Sequence, residues 1–426
     1  MAEAAVRPQE LTETIGIFQS MNRARWIGFL VTIFATTYVL FSAMIVIPVI
    51  YNFYIVFADD LGVVNYIVSG GLLIAILANL VGARLMRRVR KRTLMLVGIA
   101  VFTLASTFQV AILDVTYVAI MATLAGVGCG LVVVAAPALL SEAYPDEKKR
   151  GTMLGWYNSL GSIVGALLSA VAGFVAANVS SWTSVYWLYA FSAVIFVLAF
   201  VFLPKTPTDT EKAQAAGTTT SADRIPLLPM ASLSLAGFAL SLVYMVPVYF
   251  ISLMVLQNGL GDESASGLLS SATTIGSAVG CAVFGVLFRF VGRVTPAISF
   301  GLMTVSLLLL GTANVALVTA GCVMIGVSYG LGFVYCTVRA TTIVAPSKVA
   351  VGLSISWAAI NLGGFATTYL VSFLQGAFGL DPAGQIVEIF PVLLLITSMG
   401  TVLSLGSLLV AKLSKAGVSD AADPVS

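Results

Sequence analysis

The sequence predicts an all-α membrane protein: twelve transmembrane helices in two pseudo-symmetric six-helix bundles, with the N- and C-termini cytoplasmic. Three observations carry that prediction. Hydrophobic residues make up 59% of the 426-residue chain and charged residues only 9%, far from the composition of a soluble globular protein. Apolar runs of about 20 residues recur along the chain, each long enough to cross a hydrocarbon core of roughly 30 Å as a helix. The bases are gathered rather than scattered: "RLMRRVRKR", residues 84–92, holds six of the 21 Lys and Arg. Only helices and closed barrels satisfy their backbone groups in lipid, and continuous rather than alternating apolar runs select helices.

Polar, Gly and Pro breaks divide the chain into spans at roughly 26–55, 63–83, 93–113, 116–140, 151–177, 184–204, 226–255, 264–288, 294–313, 315–338, 349–377 and 386–411. The segment before them, 1–25, mixes Glu10, Glu13, Arg23 and Arg25 with no short apolar core, so no removable leader is expected. With the N-terminus inside, the outward loops hold Asp59, Asp60, Asp114, Asp262, Glu263, Asp381 and Glu388 and no base. Every Lys and Arg then falls on the inward side, as the positive-inside rule requires, and the 84–92 cluster becomes the cytoplasmic turn between spans 2 and 3. The stretch 205–225 is polar and rich in Ala, Thr and Ser; it reads as a cytoplasmic linker between a 26–204 bundle and a 226–411 bundle. Residues 412–426, with Lys412 and Lys415, form a cytoplasmic tail.

The two halves echo each other. "PDEKKRGTMLGW" places Pro145, Gly151 and Trp156 as P-x5-G-x4-W, and "PSKVAVGLSISW" repeats the spacing at Pro346, Gly352 and Trp357, displaced by 201. "GARLMRRVRKR" from Gly82 is answered by "GVLFRFVGRV" from Gly285, displaced by 203. Two echoes at nearly one offset imply duplicated six-helix units of the same topology, a plan used by secondary transporters that bind solute near the membrane midplane.

Together, the spans in two sixes, the linker and the glycine-plus-basic loop resemble the major facilitator superfamily over essentially the whole chain. In the first loop Gly82, Arg87, Arg90 and Lys91 match its G-x-L-a-D-r-x-G-r-r pattern, while Met86 and Val89 replace the acid and the second glycine; in the second half Gly285, Leu287, Gly292 and Arg293 match, with Arg289 at the acidic position. Glu142, Arg150 and Gly151 are similar to the acid and Arg-Gly that close span 4 and open span 5 in many members. Ala122 stands where many proton-coupled exporters carry an arginine, and Ala166 where their span-5 proline falls. The resemblance implies a central cavity between the halves, lined by spans 1, 4, 7 and 10 with help from 2, 5, 8 and 11, and a protein working as a monomer in the plasma (inner) membrane.

A charge at the bilayer centre costs roughly 2.5–3.5 kcal/mol on insertion scales, and no acid or base falls in the middle third of any expected span. The cavity is therefore expected to be neutral, which disfavours sugar phosphates and dicarboxylates and favours a small neutral, aromatic or amphipathic solute. The residues expected to contact it are Tyr38, Asn158, Ser162, Tyr244, Thr274, Tyr329, Trp357 and Asn361. The bland reading of each is also specific. Hydroxyls in membrane helices commonly bond their own backbone, and aromatic residues near span ends commonly form interfacial belts. Asn158 and Asn361 stand out, because an amide left unpaired in lipid is costly.

At the inward end two pairings of Glu142 remain open. It either latches onto Arg339, the base at the inward end of span 10, when the cytoplasmic side closes, or it pairs with a base of the loop such as Arg87 or Arg150 while Arg339 snorkels to lipid. Cys129, Cys281, Cys322 and Cys336 lie in apolar runs without a CxxC pair, and the chain has no histidine. No metal spacing, nucleophile motif or nucleotide loop appears, so an enzyme, a cofactor and a nucleic-acid partner are not expected. The expected partners are a small-molecule solute, membrane lipid and, if transport is coupled, protons. Three alternatives stay open: a small organic monocarboxylate transporter or exchanger using an inward-end arginine, a proton-coupled multidrug exporter, and a transporter-like sensor or scaffold.

Overall fold

The computed structural model describes residues 18, 20–86, 88–144, 147–179, 181–208, 226–344, 349–381 and 386–420. Arg87, Pro145, Pro346, Lys348 and most of the expected linker lie outside these residues. The described chain is helical throughout its apolar stretches. The first expected span is α1 (Arg23–Ala35), α2 (Thr37–Phe41), two 3₁₀ turns (Ser42–Ile45 and Ile47–Val49) and α3 (Ile50–Val56). There follow α4 (Leu61–Leu85), α5 (Lys91–Thr107), α6 (Val115–Ala143), α7 (Glu147–Asn178), a ten-residue 3₁₀ stretch (Trp182–Phe191) and α8 (Ser192–Phe202). The rest is α9 (Leu227–Gln257), α10 (Glu263–Val291), α11 (Thr295–Leu310), α12 (Val315–Ile343), α13 (Val349–Phe378) and α14 (Phe390–Asp420). Ten helical stretches among the described residues are long and apolar enough to cross a membrane. One of them, Glu263–Leu310, holds both α10 and α11, and α5, at 17 residues, is not among the ten.

The first span is not the single helix that its apolar run suggests. Pro48 supplies no backbone donor, and the hydroxyls of Thr32, Thr36, Thr37 and Ser42 each donate to a carbonyl three or four residues back. Such local bonds loosen the regular ladder; α1 gives way to α2 at Thr36, and the chain tightens into 3₁₀ turns from Ser42 past Pro48.

The chain divides into two compact units: residues 1–222 with 251–271, and residues 223–250 with 272–426. In the first unit α6 is the hub, packed on both α4 and α5. Its glycines explain the closeness. Gly126 and Gly130 are four residues apart and share a face, and an added Cβ would lie 3.1 and 2.5 Å from the Gly71 and Ala75 carbonyls of α4. Gly128 turns the other way, and its Cβ would lie 2.6 Å from the Gly98 carbonyl of α5. Segment 251–271 is held in this unit by the Tyr51 N–H donating to Ser252 Oγ (3.1 Å), by Ser271 Oγ donating to the Ala166 carbonyl (2.6 Å), and by Gly267 against Gly173. Small residues that admit a neighbouring backbone are the usual adhesive between helices in lipid.

The second unit repeats the hub. Cβ atoms on Gly326 and Gly330 of α12 would lie 2.1 and 2.3 Å from the Thr273 and Ser277 carbonyls of α10. On the other side of α12, Ser299 and Ser328 exchange hydroxyl-to-carbonyl bonds of 2.7 and 2.6 Å with α11. Both glycines are displaced by 200 from Gly126 and Gly130, and both contacted residues by 202 from Gly71 and Ala75. The duplication legible in the loops thus extends to a packing contact between apolar helices.

Candidate functional site

In the second unit α9 and α12 bring Tyr244 and Tyr329 face to face, with ring centroids 3.9 Å apart and planes 6° from parallel. From Tyr329 the contact continues to Phe333 one turn along α12 (5.9 Å) and from Phe333 to Trp357 on α13 (5.5 Å). Asn361, one turn beyond, donates its amide to the Trp357 carbonyl at 2.8 Å. Four of the eight residues expected to contact solute therefore lie on one continuous aromatic and amide strip, joined by Phe333. Around the tyrosine pair the environment is weakly polar. Ser277 stands within hydrogen-bonding reach of Tyr244, and Cys281 Sγ faces the Gly330 carbonyl at 3.7 Å. Tyr244 is 5% exposed and anchors the strip, whereas Trp357 is 38% exposed and offers a ring face. Thr274 is buried on α10 with a partner of its own and is not part of the strip.

In the first unit the expected residues serve the broken first span more than a common face. The Tyr38 hydroxyl donates to the Leu188 carbonyl, and Tyr189 returns a bond of 3.0 Å to the Ser42 carbonyl. These reciprocal straps tie α2 and the 3₁₀ turn that follows it to the 3₁₀ stretch at 182–191. Asn158 donates to the Leu154 carbonyl at 2.9 Å, and Ser162 to the Asn158 carbonyl at 3.3 Å. Both use their own helix, as the bland reading holds. Asn158 and Asn361 nevertheless behave alike: each is pinned to the carbonyl four residues back, with its side-chain amide oxygen unpartnered among the described residues. An amide fixed in this way presents a preset acceptor and its second amide hydrogen.

Three contributors escaped the sequence reading. Tyr157, 2% exposed, meets Thr36 hydroxyl to hydroxyl at 3.1 Å. It is masked in sequence by its neighbour Trp156, which carries the repeat signal but is 63% exposed. Phe333 looks like any apolar helix residue, and Tyr189 lies in a span not expected to line the cavity.

At the basic end of the first unit Lys91 Nζ and Glu142 Oε1 are 2.9 Å apart, with side chains 4% and 15% exposed. Glu142 thus meets Lys91, a base of the loop cluster; Arg87 and the side chain of Arg150 lie outside the described residues. In the second unit Arg339 reaches the Tyr335 hydroxyl, with Arg293 nearby. Gly82 packs against Val134 and Leu131 of α6, where an added Cβ would come within 2.9 Å of the valine; Gly285 has open space around it. Gly292 closes α10 with φ +50, in the left-handed region that favours glycine. Arg90 is the N-cap of α5.

Comparison with known proteins agrees with this architecture. The family described as the Major Facilitator Superfamily matches residues 26–368. The 3-(3-hydroxy-phenyl)propionate transporter of Escherichia coli (strain K12) is 29% identical over 268 residues, 61% of this chain and 64% of that protein. The multidrug transporter mfsC of Aspergillus fumigatus is 30% identical over 179 residues, 41% of this chain and 29% of that one. The match thus spans less than two-thirds of the length of either relative. Among solved structures, the xylose transporter XylE from E. coli in an inward-open conformation superposes with a TM-score of 0.69 at 14% identity, covering 89% of this chain and 94% of that chain.

Proposed function

The chain belongs to the Major Facilitator Superfamily, and from that premise we propose that it is a secondary transporter, not an enzyme, moving a small neutral, aromatic or amphipathic organic solute by alternating access. The observation that carries this reading is the strip Tyr244, Tyr329, Phe333, Trp357 and Asn361. Ring faces bind flat apolar solutes through offset or edge contacts, and one fixed amide sets their orientation. Asn158 contributes the matching amide from the first repeat, with Ser162 one turn along the same helix and Tyr38 from the first span, and Thr274 adds a hydroxyl from α10. In the same reading the chain crosses the inner membrane twelve times, counting α5 as a crossing and dividing the 263–310 stretch at Gly292. Both termini are cytoplasmic, the repeats divide six and six at 205–225, and the protein works as a monomer. Glu142 exchanges Lys91 for Arg339 during the cycle.

A second reading has its own support: an aromatic monocarboxylate, held by Arg339 beside Tyr335 and Arg293. The relative named for hydroxyphenylpropionate favours it. A ligand bound only by the folded state raises the unfolding midpoint, so both readings are tested by thermal shift of the purified protein against neutral aromatics and aromatic monocarboxylates. Neutral aromatics are expected to raise the midpoint. Tyr329→Ala or Asn361→Ala should weaken them about two- to tenfold, the range set by one lost aromatic contact. Hits confined to carboxylates and abolished by Arg339→Ala would establish the second reading, and no hit in either class would refute both.

A further inference from the structure

The last base of the 84–92 cluster leads away from the aromatic strip. Arg92 opens α5, lays its guanidinium over the Phe200 ring at 5.7 Å and donates to the Phe200 carbonyl of α8. There it lines an open cavity of about 500 Å³ together with Ser20, Met21, Asn22, Arg25, Pro204 and Lys205. Three cations from three separate elements face this cavity: the start of α1, the start of α5 and the chain just after α8. No acid lines it among the described residues.

Backbone electrostatics add to the side chains. The N-termini of α1 and α5 lie at this end, and neither carries an acid in its first turn, so their partial positive charge adds to that of the side chains, with Glu142 paired to Lys91 at the start of α5. Asn22 spends its carbonyl oxygen on the Arg25 N–H at 2.8 Å, which leaves its amide hydrogens for a ligand. Next to Lys205, the Thr206 hydroxyl is buried without a partner among the described residues. Arg92 is fixed by its two contacts with Phe200, so one of the three cations is already positioned before any ligand arrives.

We propose that this cavity binds a phosphate group, with Arg25, Arg92 and Lys205 supplying the charge and Asn22 an amide donor. A lipid headgroup and a soluble phosphate share that chemistry. Basic pockets between helix ends at the cytoplasmic face of a membrane suit anionic headgroups, and three converging cations suit a soluble phosphate equally well.

The test uses the full-length protein in lipid nanodiscs. In one arm, phosphatidylcholine discs are compared with discs also containing phosphatidylglycerol, reading the thermal midpoint and, after extraction, the retained lipid by native mass spectrometry. In the other, inorganic phosphate is titrated into phosphatidylcholine discs. The variants are Arg25→Gln, Lys205→Gln and their combination; Arg92→Gln is avoided because that side chain also joins α5 to α8. Arg88→Gln, a base of the same cluster outside the cavity, is the control. Each charge removed from the cavity is expected to weaken binding about fivefold, with Arg88→Gln close to wild type. Protection by phosphatidylglycerol that the cavity variants lose identifies a lipid headgroup, and protection by inorganic phosphate in neutral discs that they lose identifies a soluble phosphate. No protection by either probe, or an equal loss in Arg88→Gln, would overturn the site.

Discussion

Lys91 and Glu142 are 2.9 Å apart and largely withdrawn from solvent, which makes the pair costly to break from one side. Removing one partner of a buried ion pair leaves an uncompensated charge and costs about 3–5 kcal/mol, whereas replacing both with apolar residues of similar volume is often neutral. Glu142→Gln should therefore lower stability by about 3 kcal/mol or more in thermal or denaturant unfolding, and Lys91→Met combined with Glu142→Leu should recover most of it. A single variant as stable as the wild type would mean the pair is solvated and incidental. Single residues were legible unevenly. Tyr244, Tyr329, Trp357 and Asn361 could be marked from side-chain chemistry in apolar helices. That the first three and Phe333 share one strip could not, because it depends on the register of α9 and α13 against α12. Lys91 was read as one member of a basic cluster, and its burial at the end of α6 depends on how closely Gly82 lets α4 approach that helix.

The helices themselves were the most legible part. Apolar runs and their polar breaks located most of them to within a few residues, because burial of the backbone in lipid leaves few alternatives to a continuous helix; the exceptions are α5, which ends at Thr107 rather than 113, and α14, which runs to Asp420 through most of the expected tail. Two elements were not foreseen: the break at Ser42–Val49 and the 3₁₀ stretch at Trp182–Phe191. Proline and hydroxyl residues are tolerated inside membrane helices, so Pro48 alone does not announce a break. The straps from Tyr38 and Tyr189 that hold the two irregular stretches together come from distant parts of the sequence. Glycine spacing had more to offer than was read from it. Gly126 and Gly130, and Gly326 and Gly330, mark the faces on which α6 meets α4 and α12 meets α10. With a backbone oxygen only 2.1 Å from a Cβ at position 326, Gly326→Ala must push the helices apart. Overpacking of this kind costs about 1–3 kcal/mol. Gly285→Ala, where the space is open, should be silent in the same unfolding assay; equal effects at the two positions would remove the close-packing account.

At the scale of the whole molecule, duplication unites these observations. The P-x5-G-x4-W and glycine-plus-basic loops repeat at offsets of 201 and 203, and the buried glycine contacts at 200 and 202. The repeats have diverged in what they carry: the second holds the aromatic strip, while the first holds the buried ion pair and the tyrosine straps. Composition and the length of the apolar runs made the all-helical membrane fold legible from sequence, because lipid constrains the polarity and backbone bonding of every residue of a span. For the solute the sequence offers only a proposed class, because its contacts depend on a few side chains whose neighbours are set by packing. The most direct test of the central claim is counterflow in proteoliposomes, with unlabelled solute inside and a trace of labelled solute outside. A small neutral aromatic compound is predicted to drive transient uptake of its own label, and Tyr329→Ala and Trp357→Ala are predicted to depress it. Counterflow with a sugar phosphate or a dicarboxylate and with no aromatic compound would contradict the claim.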